Sequence, residues 1–245
     1  MIKKFTVILI HGLGFNKKIW FYLKKKLKKH FNVHTINLHI PKKNKNFYLE
    51  LQNFINNTII SIPKNSILIG WSIGGIIATL LTLKIQEKIK LLVTISSSPC
   101  FIKKKSWIGL NLNKIKKLKN ELNNNYFQTI KNFLKLQNLN KKNIKILYKK
   151  IINSSNNNPQ SINFNTKILI KLDTRNLIKK IHIPIFRIYG KFDIIVQKDV
   201  KYYVDKILKN ENSIIINHAN HAPFISHLNL FYKILIKKIR KYIDL

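Results

Sequence analysis

Apolar residues recur along this chain in two rhythms. Phe5-Thr6-Val7-Ile8-Leu9-Ile10 is an unbroken, β-branched run, as expected of a strand covered on both faces in a parallel sheet. It stops at His11-Gly12-Leu13-Gly14. Trp20, Leu23 and Leu27 then fall on one helical stripe with lysines between them, predicting a helix over residues 20–30. A second strand is predicted over residues 31–38 and a helix over 46–60. A short strand at 66–69 leads through a glycine-rich turn to a helix at 76–84, and 91–95 reads as another buried strand. Residues 101–180 differ: their period is helical, they are rich in Asn and Lys, and they carry no strand pattern. Asn153-Ser154-Ser155-Asn156-Asn157-Asn158-Pro159 is a loop between helices there. Strand patterns return at 183–188 and 213–216, and an amphipathic helix over 224–242 closes the chain. Strands alternating with helices predict an α/β fold with a mostly parallel sheet, as a single domain over 1–245 with a helical insertion at about 101–180.

The composition supports a folded chain. Its 245 residues suit one α/β domain, and 45% hydrophobic residues exclude general disorder. The single cysteine, Cys100, excludes a disulfide framework and most cysteine-based metal sites. The charge is unusual: Lys+Arg is 46 against 9 for Asp+Glu, a net of +37. Only Arg175, Arg187 and Arg240 are arginine. Two readings compete, a nucleic-acid binder and a genome whose A+T bias favours Lys, Asn and Ile codons. The lysines are scattered from Lys3 to Lys241 and no nucleic-acid motif is present, so no nucleic-acid partner is expected. The field still steers acidic partners toward the surface. The apolar run at 5–10 is too short for a signal-peptide core, and no stretch approaches the ~20 apolar residues of a membrane helix. A cytoplasmic monomer that engages no membrane is the expectation.

Gly70-Trp71-Ser72-Ile73-Gly74 matches G-x-S-x-G with a strand before it and a helix after it. In that context the serine sits on a sharp turn at the C-terminal edge of the sheet, its hydroxyl exposed beside a helix N-terminus. A serine nucleophile needs a base, and the base an orienting carboxylate. In this arrangement they follow in the order Ser, Asp or Glu, His. Asp193, in Tyr189-Gly190-Lys191-Phe192-Asp193, is the acid lying just past a strand end; its alternative role is to cap the turn. Asp199 and Asp205 are expected on the following helix. His218 and His221 lie in the loop after the 213–216 strand and His227 in the last helix. His221, ahead of Ala222-Pro223, is the better-placed base, with His218 the alternative. Ile73, following the nucleophile, supplies one oxyanion N–H, and Leu13 in the HGLG loop the other. His11 has no partner at metal-ligand spacing, so neither metal nor cofactor is expected.

These features resemble the α/β-hydrolase superfamily. Within it the chain is similar to the family of pimeloyl-[acyl-carrier protein] methyl ester esterases of biotin synthesis. His11-Gly12-Leu13-Gly14 and the G-x-S-x-G motif mark the superfamily. Ser97-Ser98-Pro99-Cys100-Phe101, Phe133-Leu134-Lys135-Leu136-Gln137 and His221-Ala222-Pro223-Phe224-Ile225-Ser226-His227 are more specific to that family. The resemblance implies an α/β-hydrolase fold with a helical lid and a Ser72–Asp193–His221 triad. It also implies substrate contacts from Leu13, Ser72, Ile73, His221 and the run Phe133, Leu134, Lys135, Leu136 and Gln137. The implied partner is the acyl carrier protein that bears the substrate. Two departures stand out. The position of Leu13 is often Trp in that family, and the basic lid positions, arginine there, are Gln128, Asn132, Lys145 and Lys149 here. Lys145 and Lys149 would therefore carry the carrier-protein contact, as point charges rather than guanidinium forks. A general short-acyl carboxylesterase and a non-catalytic basic binding protein are the rival functions. A chain-length series of free esters separates the first from the carrier-linked reading, and labelling by a serine-directed phosphonate separates the second.

Overall fold

A computed structural model describes residues 4–38, 46–137, 139–154 and 158–243. The apolar runs become six strands: β1 (Thr6–Ile10), β2 (Asn32–Ile36), β3 (Ser66–Trp71), β4 (Ile89–Ile95), β5 (Ile185–Gly190) and β6 (Ser213–Ile216). They form one sheet in the order β2-β1-β3-β4-β5-β6, and every neighbouring pair is parallel. Parallel strands need both faces covered, and all of β1, β3 and β5 is buried. Edge strand β2 is only partly covered, in keeping with its polar residues Asn32, His34 and Thr35.

The connecting helices are α1 (Phe21–Leu27), α2 (Phe47–Ile60), α3 (Ile73–Lys84), α8 (Val200–Leu208), α9 (Pro223–Ser226) and α10 (Leu228–Ile243). Helix α3 packs on β3 and β4, and α1 packs on α10 and β2. From β1 the chain steps outward to β2, then returns to β3 on the other side of β1. The crevice above the C-terminal ends of β1 and β3 is thus the switch point of the sheet, the usual place for a ligand.

Between β4 and β5 lie four further helices: α4 (Leu112–Asn124), α5 (Tyr126–Leu136), α6 (Lys141–Ile152) and α7 (Pro159–Lys171). Helix α5 packs on α4 and α6, α4 on α7, and α6 on the 3-10 turn Lys17–Trp20. Asparagines do local work that their abundance hides. Asn140 and Asn158 accept backbone N–H bonds at the starts of α6 and α7, and Asn46 does so for α2.

Three predicted elements shift. The insertion does not turn helical until Leu112; before it, bridges join Ile102 to Leu110 and Lys104 to Trp107. Helix α3 begins at Ile73, directly after the serine, rather than at residue 76. The closing helix breaks at His227, whose φ of −124° and ψ of 43° leave the helical region, giving α9 and α10. Of the loop expected at 153–159, residues 155–157 lie outside the described residues.

Candidate active site

Strand β3 ends at Trp71 and α3 starts at Ile73, so Ser72 alone makes the turn. Its φ is 56° and its ψ −124°, a strained conformation for a residue with a side chain. Neighbouring strands hold it there. The Ser72 N–H donates to the Ile95 carbonyl at 2.9 Å, and the Ser72 carbonyl accepts from the Gly75 N–H at 2.9 Å and the Ser97 hydroxyl at 2.7 Å. The motif glycines are required by contact: a Cβ on Gly70 would lie 2.2 Å from the Gly74 oxygen, and one on Gly74 would lie 2.3 Å from the Ile10 oxygen.

Asp193 and His221 meet beside this turn. The His221 Nδ1–H faces Asp193 Oδ2 at 2.8 Å. The other carboxylate oxygen, Oδ1, accepts the N–H groups of Ile195 at 2.8 Å and Val196 at 2.9 Å. Asp193 thus caps its turn through one oxygen and meets the imidazole through the other. His221 lines the same cavity as Ser72. Among the described residues no hydrogen bond closes between the Ser72 hydroxyl and the imidazole, whose Nδ1 side is engaged by Asp193. His218 is exposed, takes a φ of 59° and stacks edge-on against Phe192 at 5.5 Å, away from the cavity. Asp173 pairs with Lys104 and Arg175, and Asp205 with Arg187 and Lys201.

The loop after β1 faces the turn from the other side. His11 is buried and holds both its nitrogens: Nδ1 meets the Gly12 carbonyl at 2.9 Å, and Nε2 accepts the Leu38 N–H at 3.0 Å. Burial lowers its pKa from 6.5 to about 4, so it is a neutral strut for the loop, with no lone pair left for a metal. Leu13 lines the cavity. Neither the Leu13 nor the Ile73 N–H donates to another described residue, and Ile73 lies in the first turn of α3, where the helix dipole favours negative charge.

The cavity holds about 400 Å³ and its walls are mainly apolar, among them Phe15, Phe101, Leu118, Ile130 and Ile194. Among the described residues, Lys114, on the exposed side of α4, is the one lysine in its lining. Of the five consecutive residues expected at the substrate, only Phe133 lines it. Leu134 is buried in the core, Lys135 and Leu136 face solvent, and Gln137 is buried in hydrogen bonds of its own. A helix turns ~100° per residue, so a run of five cannot all face one cavity. Lys145 and Lys149 are exposed one turn apart on α6, while Gln128 Nε2 donates to Asn132 Oδ1 at 2.7 Å on the surface of α5.

Some contributors had no sequence signal. The Trp71 Nε1–H donates to the His221 carbonyl at 2.7 Å, and its ring lies against the site of a Gly12 Cβ. Ser97, which pins the Ser72 carbonyl, stood within a recognisable run, but its partner was not readable.

A family model described as alpha/beta hydrolase fold matches residues 6–228. A relative from Wigglesworthia glossinidia brevipalpis named pimeloyl-[acyl-carrier protein] methyl ester esterase is 38% identical, covering 97% of this chain and 94% of that protein. One of the same name from Aliivibrio fischeri is 30% identical over 97% of this chain and 93% of its own length. Among solved structures, an esterase from Exiguobacterium antarcticum superposes with a TM-score of 0.81 at 16% identity, covering 97% of this chain and 92% of that one. A bromoperoxidase from Bacillus anthracis superposes at 0.79 and 18%, covering 96% and 92%; both show the fold alone.

Proposed function

The chain belongs to the alpha/beta hydrolase fold family, and from that premise we propose that Ser72, His221 and Asp193 are the triad of a pimeloyl-[acyl-carrier protein] methyl ester esterase of biotin synthesis. The protein is a carboxylic ester hydrolase. The observation that carries the triad is the Asp193–His221 pair and the strained Ser72 opening onto one apolar cavity.

The Ser72 hydroxyl attacks the ester carbonyl while His221 Nε2 takes its proton. Asp193 fixes the tautomer through Nδ1–H and stabilises the imidazolium that forms. The N–H groups of Leu13 and Ile73 receive the oxyanion; one such donor contributes ~3 kcal/mol to the transition state. The imidazolium returns its proton as methanol leaves. Water, activated in the same way, then releases the carboxylic acid from Ser72. An acyl chain fits the apolar walls, and Phe133 caps it from α5. The helical insertion acts as the lid. The acidic carrier docks outside it on Lys145 and Lys149, and Lys114 faces the anionic arm at the cavity rim.

The test compares methanol release from the carrier-linked methyl ester with hydrolysis of small free esters. Wild type is expected to prefer the carrier-linked substrate, and Ser72→Ala to lose about 10⁴-fold or more in kcat with an unchanged unfolding midpoint. Undiminished turnover by Ser72→Ala removes the nucleophile assignment. A wide preference for small free esters replaces the carrier-linked reading with a general carboxylesterase.

A further inference from the structure

Helix α5 touches both halves of the proposed machinery. At its first residue, the Tyr126 hydroxyl donates to the Gly14 carbonyl at 2.9 Å, at the end of the HGLG loop that carries Leu13. At its other end, Gln137 Oε1 accepts the Ala222 N–H at 2.9 Å, immediately after His221. On the other side of the histidine, Asn220 Nδ2 donates to the Leu136 carbonyl. Between the two ends, the Phe133 ring stands edge-on to His221 at 6.3 Å and to Phe15 at 4.8 Å. On the sheet side the His221 loop is also held by the Trp71 Nε1–H on the His221 carbonyl, by the Phe192 N–H on the Ala219 carbonyl at 2.9 Å and by Asp193 on the imidazole at 2.8 Å. The Gln137 and Asn220 bonds tie the same loop to the helical insertion.

We infer that α5 is a positioning strap for catalysis, in which Tyr126 holds the loop of Leu13 and Gln137, with Asn220, holds the loop of His221. The inference rests on the triad reading above and adds residues that touch no substrate. Gln137 is buried and spans two backbone groups: its Nε2–H donates to the Phe133 carbonyl at 3.2 Å while Oε1 takes the Ala222 amide. It joins the end of α5 to the base loop and closes no part of the cavity. A base must sit within hydrogen-bond reach of the serine hydroxyl, so a small shift of this loop is costly. The strap also connects the outer surface to the chemistry. A partner that presses on α5 and α6 moves the same helix that sets Leu13 and His221.

The test uses the full-length enzyme with its concentration fixed by active-site titration with a fluorophosphonate, and two substrates, the carrier-linked methyl ester and a p-nitrophenyl ester. Gln137→Met, similar in length but without the acceptor, is expected to lower kcat about tenfold on both substrates with KM changed less than about twofold. Gln137→Glu keeps an oxygen for the Ala222 amide and is expected to recover most of that kcat. Tyr126→Phe, which removes one hydroxyl, and Asn220→Ala are each expected to lower kcat about threefold to fivefold, again without a KM effect. Unchanged kcat in titrated Gln137→Met, or a loss confined to KM, overturns the strap. A wild-type enzyme that ignores the carrier-linked ester but turns over the p-nitrophenyl ester refutes the substrate reading and leaves the strap to be decided by the variants on the second substrate.

Discussion

The C-terminal edge of the sheet and the helical insertion enclose one cavity by opposite means. At the edge, backbone packs on backbone. Helix α3 buries nine of its twelve residues, and Gly70 and Gly74 sit where any Cβ would strike a neighbouring carbonyl. In the insertion, side-chain stripes do the packing. Helix α4 buries Ile115 and Leu122 alone among its thirteen residues, and the rest of it is largely Lys and Asn. The difference explains how a chain of net charge +37 keeps a serine-hydrolase geometry. Lysine and asparagine fill α4 outside its apolar stripe, whereas the closely packed α3 carries a lysine only at its last residue.

That contrast can be broken from its strongest side. Gly74→Ala would place a Cβ 2.3 Å from the Ile10 oxygen and 2.6 Å from the His11 oxygen. It is expected to cost about 3 kcal/mol in urea unfolding, at the upper end for overpacking. A loss below about 1 kcal/mol would mean that the edge yields as readily as the insertion.

Acid tests the same edge through His11. The unfolded imidazole titrates at 6.5 and the folded one at about 4. Between those values the unfolded state binds the extra proton, so stability is full above pH 6.5 and falls as the pH drops toward 4. The shift is worth about 3 kcal/mol once the pH is below both values, read as the difference in unfolding free energy between wild type and His11→Asn across that window. Parallel pH curves for the two proteins would remove His11 from its place as a neutral strut.

The smallest effect belongs to the insertion surface. Lys145→Glu together with Lys149→Glu is expected to raise KM for the carrier-linked ester about tenfold at low salt, less at high salt, and to leave p-nitrophenyl ester hydrolysis unchanged. A fall in kcat on both substrates would show that these lysines act on the strap rather than on the carrier.

The strand and helix alternation, the serine at its turn and the acid and histidine past later strands were all legible, because each rests on a local pattern or on chain order. The orientation of α5 was not. Phe133 to Gln137 read as one contact run, yet Phe133 faces the cavity, Leu134 the core, Leu136 the solvent with 59% of its surface exposed, and Gln137 the base loop. The break at His227 was equally hidden, since the apolar period runs through it.

Periodicity, glycine spacing and residue order act over a few positions, and these the chain itself determined: six parallel strands, a strained serine and its candidate partners. Folding alone decided the rest. Asp193 meets His221 across 28 positions, Gln137 meets Ala222 across 85, and Trp71 meets the His221 carbonyl across 150. Such contacts depend on how whole elements pack and on which face each turns inward, and no local pattern specifies either.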